Sequence, residues 1–175
     1  MTRNELASAI MNIAHLTGEF KLRSGKVSQE YFDKYRFESQ PQLLKSIAEQ
    51  MTPLIPGGTQ VLAGLEMGGI PVATALSLHT GLPVAFVRKE AKDYGTCQLA
   101  EGLELKSKQV LIIEDVITTG GQVVESGQQL QALGALVSPV LCVIDRSQGD
   151  HSRLEKAGLK LKALFTMEEL KGVQG

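Results

Sequence analysis

The sequence predicts an α/β fold: one domain with a parallel-rich sheet flanked by helices on both faces. Two observations carry this. From Val61 onward, short apolar runs alternate with helix-length stretches. Several of those runs, such as "VLII" at 110–113 and "VLCVI" at 140–144, are continuously apolar rather than alternating, as strands buried on both faces require.

The elements follow in order. Leu6, Ile10, Ile13 and Ala14 recur at helical spacing and predict an N-terminal helix, which His15 extends. The next stretch, "GEFKLRSGKVSQEYFDKYRFES" at 18–39, is aromatic, basic and broken by glycines, and reads as short strands and turns. "PQLLKSIAEQM" returns to helical spacing through Leu43, Leu44, Ile47, Ala48 and Met51. "VLAG" at 61–64 reads as a strand, "GGIPVATALSLHTG" at 68–81 as a helix opened by glycines, and "PVAFV" and "QVLIIE" as further strands. "GGQVVESGQQLQALGA" is a helix with Val123, Val124, Leu130 and Leu133 on one side and Gly134 near its end. "SPVLCVID" is a strand, "SRLEKAG" a short helix, and "LKALF" the last strand. The α/β core thus spans about 41–175, preceded by a helix and an irregular segment over about 1–40.

Composition narrows the function classes. The 175 residues are 43% hydrophobic and 21% charged, enough for one real core, and the formal net charge of -1 offers no global field for nucleic acid. No apolar run approaches the roughly 18 residues of a membrane span. The N-terminus lacks the pattern of a secretory signal. Cys97 and Cys142 lie far apart without metal-ligand spacing. A reduced, cytoplasmic protein is the expectation. His15 and His79 fall in predicted helices and His151 begins another, so surface or capping roles are expected of them.

In open parallel sheets, ligands bind beyond the carboxyl ends of the strands. "VLIIEDVITTGG" lies at such an end. If Val110 to Ile113 form a buried strand, Glu114 and Asp115 emerge at its ligand-facing end. Two adjacent carboxylates call for hydroxyls or a cation. Thr118, Thr119, Gly120 and Gly121 then lead into a helix whose N–H groups and dipole favour an anion. A sugar phosphate satisfies both halves, with phosphate in the loop and ribose hydroxyls on the acids. Other phosphate motifs fail. At the only Gly-Lys pair, Phe20 replaces the first Walker glycine and Val27 the hydroxyl residue, and "GLEMGG" does not match a dinucleotide fingerprint.

This stretch resembles the 5-phosphoribosyl 1-pyrophosphate (PRPP) signature of type I phosphoribosyltransferases: apolar strand, two acids, two apolar residues, threonine, small residues and glycine. Four further segments bear on the base. "FVRKEAKDYG" places Arg88, Lys89 and Lys92 within five positions, followed by glycine. Composition leaves a mobile cationic loop and a solvated charged turn equally open. The segment is similar to the catalytic loop of orotate phosphoribosyltransferases, which reaches into the neighbouring subunit's site. The resemblance implies that Arg88 and Lys92 act in trans, with Lys92 as the catalytic lysine. Tyr94 departs from it, standing where many members carry histidine. The segment "GEFKLRSGKVSQEYF" resembles that family's N-terminal hood, implying that Arg23 lies near the substrates and that Tyr31 and Phe32 line the base pocket. "GLEMGGIPVA" resembles the pyrophosphate loop, although Met67 and Gly68 replace a common Tyr-Lys pair. "VIDRSQG" resembles the Asp-Arg pair whose arginine, here Arg146, holds the orotate carboxylate with a bidentate fork.

The resemblance covers about Gly18 to Leu170. It implies transfer of phosphoribose from PRPP to orotate, giving orotidine 5'-monophosphate and pyrophosphate in de novo pyrimidine synthesis. Glu114 and Asp115 would hold the ribose; Val116, Ile117, Thr118, Thr119, Gly120, Gly121 and Gln122 the 5'-phosphate; Arg88, Lys89 and Lys92 the pyrophosphate; Thr118, Arg146, Tyr31, Phe32 and Arg23 the orotate. Mg²⁺ would be held mainly through PRPP, with Asp115 nearby. A homodimer with shared sites is implied. A different base, or a PRPP-binding regulator without turnover, is the alternative. Neither nucleic acid nor membrane is an expected partner.

Overall fold

A computed structural model describes residues 1–22, 25–90 and 98–173, with Ser138 described by its backbone alone. At its centre is a sheet in the order β5-β4-β3-β6-β7-β8. These strands are β3 (Val61–Leu65), β4 (Val84–Val87), β5 (Ala100–Glu101), β6 (Gln109–Ile117), β7 (Leu136–Asp145) and β8 (Lys160–Thr166). All neighbours run parallel except the short β5, which pairs antiparallel with β4 at one edge. All five residues of β3 are buried, as a central strand covered on both faces requires.

Two apolar layers cover the sheet. One face carries α1 (Arg3–Ala14), α3 (Pro41–Met51) and α4 (Gly69–Thr80), packed through Leu6, Ile10, Ile47 and Leu76 against Leu111 and Ile113 of β6. The other carries α5 (Gly121–Ala132) and the short α6 (Ser152–Lys156), which bring Val123, Leu130 and Leu154 onto Ile112 and Val140. Local signals set the helix ends. Thr2 and Glu5 form a capping box on α1. Pro41 occupies the first position of α3, where its missing N–H costs nothing. Gly81 ends α4 in the left-handed conformation. The chain closes with α7 (Met167–Gly172).

The register of β7 against β6 slips once. Val137 faces Val110, but Val140 faces Ile112, so β7 spends one extra residue there. Pro139, which has no N–H to give, falls inside this bulge.

The described residues between 15 and 38 form a small layer of their own. Strands β1 (His15–Lys21) and β2 (Val27–Phe32) make an antiparallel hairpin, followed by the five-residue α2 (Lys34–Glu38). The hairpin matches the expectation of short strands, but α2 does not. Its N-cap is Asp33, whose carboxylate accepts the Tyr35 N–H at 3.2 Å, and Phe37 anchors it in the core. His15 likewise begins β1 instead of extending the first helix, and its ring lies 3.5 Å from Glu30 on the paired strand.

Candidate active site

The phosphate-type loop is built as its sequence implies. Residues 118–120 connect β6 to α5, and Gly120 occupies the helix N-cap with φ +68°, a conformation that suits glycine. A Cβ at Gly120 would also lie 3.0 Å from Leu154. Thr118 and Thr119 are exposed, and Gly120, Gly121, Gln122 and Glu114 line the same pocket, about 310 Å³ in volume. The first-turn N–H groups and the positive end of a twelve-residue helix thus open onto one cavity.

The two acids are placed differently from expectation. They do not emerge past the strand end. β6 continues through Ile117, because β7 runs beside it as far as the Ile117–Asp145 pairing. Glu114 is 8% exposed and Asp115 is 0% exposed. Asp115 survives burial because it is clamped. Its Oδ1 accepts the Val116 N–H at 2.5 Å, and its Oδ2 lies 2.7 Å from Lys34 Nζ of α2. Gly68 closes one side: a Cβ there would sit only 1.8 Å from Asp115 Oδ2. The absence of a side chain at 68 therefore makes room for the carboxylate.

Charge in this cluster is unequally shared. Burial raises Asp115, but hydrogen bonds with Glu114 and Glu38 and the Lys34 ammonium outweigh it and hold the group below its ordinary value. Burial is also the main influence on Glu114, and with the Asp115 charge it pushes this carboxyl well above the usual range. Glu38, at the end of α2, is pushed up to about 10 by burial first and then by Asp115. Burial works against the Lys34 ammonium, yet the Asp115 charge and hydrogen bond leave it raised. The cluster thus favours the charged forms of Asp115 and Lys34 and the neutral forms of Glu114 and Glu38. Neither Lys34 nor Glu38 was singled out by motif. The charged "DKYRFE" string was the only available signal, and it reads equally well as surface.

Arg146 sits where β7 ends, its N–H bonded to Ile117 O at 2.8 Å. Its guanidinium lies over the Phe32 ring at 5.7 Å. A cavity of about 260 Å³ brings Arg146 together with Tyr31 and Phe32. The Tyr31 ring stacks on Phe20 at 5.5 Å. Arg146 also borders a cavity of about 600 Å³ with Thr118 and Thr119, so it stands between the aromatic pair and the phosphate-type loop. Arg153 and Lys156 of α6 line that cavity too, adding two cations that no motif indicated. Behind Arg146, Asp145 Oδ2 lies 2.7 Å from His151 Nε2, and its Oδ1 accepts the Ser147 N–H at 2.8 Å. His151 precedes α6, and its half-buried ring pairs with Asp145 at the strand end instead of capping the helix as expected.

At the other end of the site, Arg88 Nε lies 3.5 Å from Glu101 of β5, and the Lys89 N–H reaches Glu66 at 3.2 Å. Arg88, Glu66 and Met67 share a pocket of about 370 Å³. Arg23, Lys92, Tyr94 and Cys97 lie outside the described residues. Cys142, in contrast, is fully buried in β7, as its apolar surroundings predict.

No group of three or more His, Cys, Asp or Glu suited to a metal occurs among the described residues. With Lys34 already on Asp115, the donor set fits an ion held chiefly by substrate oxygens rather than by a protein cage. No helix among them is long and apolar enough to cross a membrane.

Comparisons with known proteins agree with this geometry. Residues 36–161 match the phosphoribosyl transferase domain family. An orotate phosphoribosyltransferase from Nocardioides sp. is 50% identical over 165 residues, covering 94% of this chain and 92% of the relative. The crystal structure of Mycobacterium tuberculosis orotate phosphoribosyltransferase with Fe(III) dicitrate superposes with a TM-score of 0.87 at 31% identity, covering 96% of this chain and 98% of that one. The same enzyme in complex with PRPP gives 0.82 at 29% identity, covering 97% and 98%.

Proposed function

The chain belongs to the phosphoribosyl transferase domain family and, within it, to the orotate phosphoribosyltransferases, and from this we infer how its residues share the work. The reaction is transfer of the 5-phosphoribosyl group of PRPP to orotate, releasing pyrophosphate and giving orotidine 5'-monophosphate. The observation that carries the reading is the convergence of three features on one sheet edge: the 118–122 loop, the buried acids before it, and Arg146 against Phe32.

The loop from Val116 to Gln122 binds the 5'-phosphate through backbone N–H groups at the start of α5, with Thr118 also near orotate. Asp115 and Glu114 hold the ribose hydroxyls. Arg146 receives the orotate carboxylate, and Tyr31 and Phe32 flank the base, with Arg23 nearby. As the C1–pyrophosphate bond loosens, positive charge develops on the ribose and negative charge on the leaving group. No nucleophilic side chain is needed; catalysis is positioning plus electrostatics. Lys89, Arg88 and Lys92 meet the departing pyrophosphate, with Arg88 and Lys92 acting on the neighbouring subunit's site in a homodimer. Bound through PRPP, Mg²⁺ would neutralise pyrophosphate charge. The setting is cytoplasmic pyrimidine synthesis.

The test is spectroscopic loss of orotate with purified protein, PRPP and Mg²⁺, run beside uracil and purine bases. Orotate alone should be consumed. Turnover of another base and not orotate would reassign the substrate, and PRPP binding without any turnover would make the protein a PRPP-binding regulator.

A further inference from the structure

Lys34 has no assigned role in phosphoribosyl transfer, yet its ammonium lies 2.7 Å from Asp115, one of the ribose-binding acids. Asp115 is fully buried, and a carboxylate there without a cation is strongly disfavoured. The cation comes from the small N-terminal layer and not from the sheet: Lys34 Nζ lies 2.7 Å from Asp115 Oδ2. Gly68, at the N-cap of α4, leaves the room this oxygen occupies, since a Cβ there would lie 1.8 Å from it. The Lys34 ammonium holds the Asp115 carboxylate in that space.

The position of Lys34 in the chain adds a second consequence. It stands two residues after Phe32, whose ring lies beneath Arg146. The span between is held at both ends: Asp33 N–H bonds Ala14 O at 2.8 Å, and the Asp33 carboxylate caps α2. The aromatic wall of the base pocket and the counter-ion of the ribose acid are therefore parts of one short, anchored segment.

We propose that Lys34 is a positioning residue: it holds the Asp115 carboxylate in place for the ribose hydroxyls and joins the ribose site to the base site through the span from Phe32. This rests on the phosphoribosyl-transfer reading above. A lysine that merely strengthened the fold would leave substrate recognition alone; one that positions Asp115 acts chiefly on PRPP.

The experiment compares Lys34→Met, Lys34→Arg, Asp115→Asn and the double variant, each checked for folding by circular dichroism. Lys34→Met should lower kcat/KM for PRPP by about tenfold or more, with a smaller change in KM for orotate. Lys34→Arg keeps the charge and should recover most of that loss. In the Asp115→Asn background, Lys34→Met should add no more than about twofold, because the two residues act as one unit. The proposal is overturned by an unchanged kcat/KM for PRPP in Lys34→Met, or by additive losses in the double variant. Should Lys34→Met fail to fold, Lys34→Arg and the double variant, which buries no lone charge, decide it: weak recovery by arginine, or a double variant well below Asp115→Asn, overturns it. Calorimetric titration with PRPP alone separates this inference from the base assignment. Wild-type protein that binds PRPP but leaves orotate untouched overturns the base assignment, while Lys34 still stands or falls on the affinity ratio between Lys34→Met and wild type.

Discussion

The sheet edge and the N-terminal hood supply the two halves of the site and are built on different principles. Every residue of β3 is buried, and β6 is buried from Val110 to Asp115. The hood hairpin has no fully buried residue in either strand. It is fastened instead at a few points: Phe37 in the core, Asp33 on Ala14, and Lys34 on Asp115. The edge holds its loops by packing, so substitutions among its buried apolar residues should register in stability. The hood is placed by a handful of contacts that also touch the site, so substitutions of residues that face the substrates should register in substrate constants.

The strongest challenge to that contrast is Lys92→Ala, which should cut kcat by about 10²–10³, the loss typical of a removed charge-stabilising group, while leaving the melting temperature unchanged. An unchanged kcat would remove this segment from the chemistry. Gly68→Ala tests the point where edge and hood meet. Its methyl group would collide with Asp115 Oδ2, so we expect kcat/KM for PRPP to fall by about tenfold and overpacking to cost about 1–3 kcal/mol, read by calorimetry and thermal melts. A variant as active and stable as the parent would mean that Asp115 can move freely. Arg146→Ala removes a charged hydrogen-bonding group worth about 1.5–3 kcal/mol, so the KM for orotate should rise roughly 10- to 100-fold with little change in that for PRPP. Equal rises in both constants would deny it a role in base recognition.

At Glu38 the expected effect is on stability alone, and it depends on pH. The folded protein keeps this carboxyl protonated, since burial and Asp115 push it up to about 10, whereas the unfolded chain ionises it near 4.5. Its contribution to stability is thus complete below pH 4.5 and is lost progressively as pH rises toward 10. Glu38→Gln abolishes that titration. The variant should melt higher than the parent at pH 8, by a margin that shrinks toward pH 5 as the unfolded chain also takes up the proton. Equal differences at both pH values would show that Glu38 is not a neutral buried group.

How far the sequence could be read differs between the same two regions. Pro41 and the Leu43-to-Met51 spacing mark α3 at both ends, and the Thr-Thr-Gly-Gly turn marks the start of α5, because caps and periodicity are local properties. The PRPP-type loop was legible for that reason. The five residues of α2 are too few to display a helical period, and the two of β5 too few for a strand pattern. The length of β6 was set by its neighbour β7 and not by its own apolar run, which is why the acids lie within the strand. The Lys34–Asp115 pair was out of reach altogether. It joins segments far apart in the chain, and tertiary proximity of two charges leaves no periodic trace.

The bulge in β7 carries a consequence of parity. Successive residues of a strand point to opposite sides, so one surplus residue reverses the phase of everything after it. The extra step between Val137 and Val140 sets which of Asp145 and Arg146 is turned inward at the strand's end. As built, Asp145 is buried against His151 and Arg146 is exposed over Phe32. Deleting Ser138 or Pro139 would leave Val140 opposite Ile112 and the strand end unchanged, but flattening the bulge with every residue kept would put Val140 opposite Ile113 and transpose the two. The carboxylate would face the base pocket and the guanidinium the interior, a change of sign brought about without altering either residue.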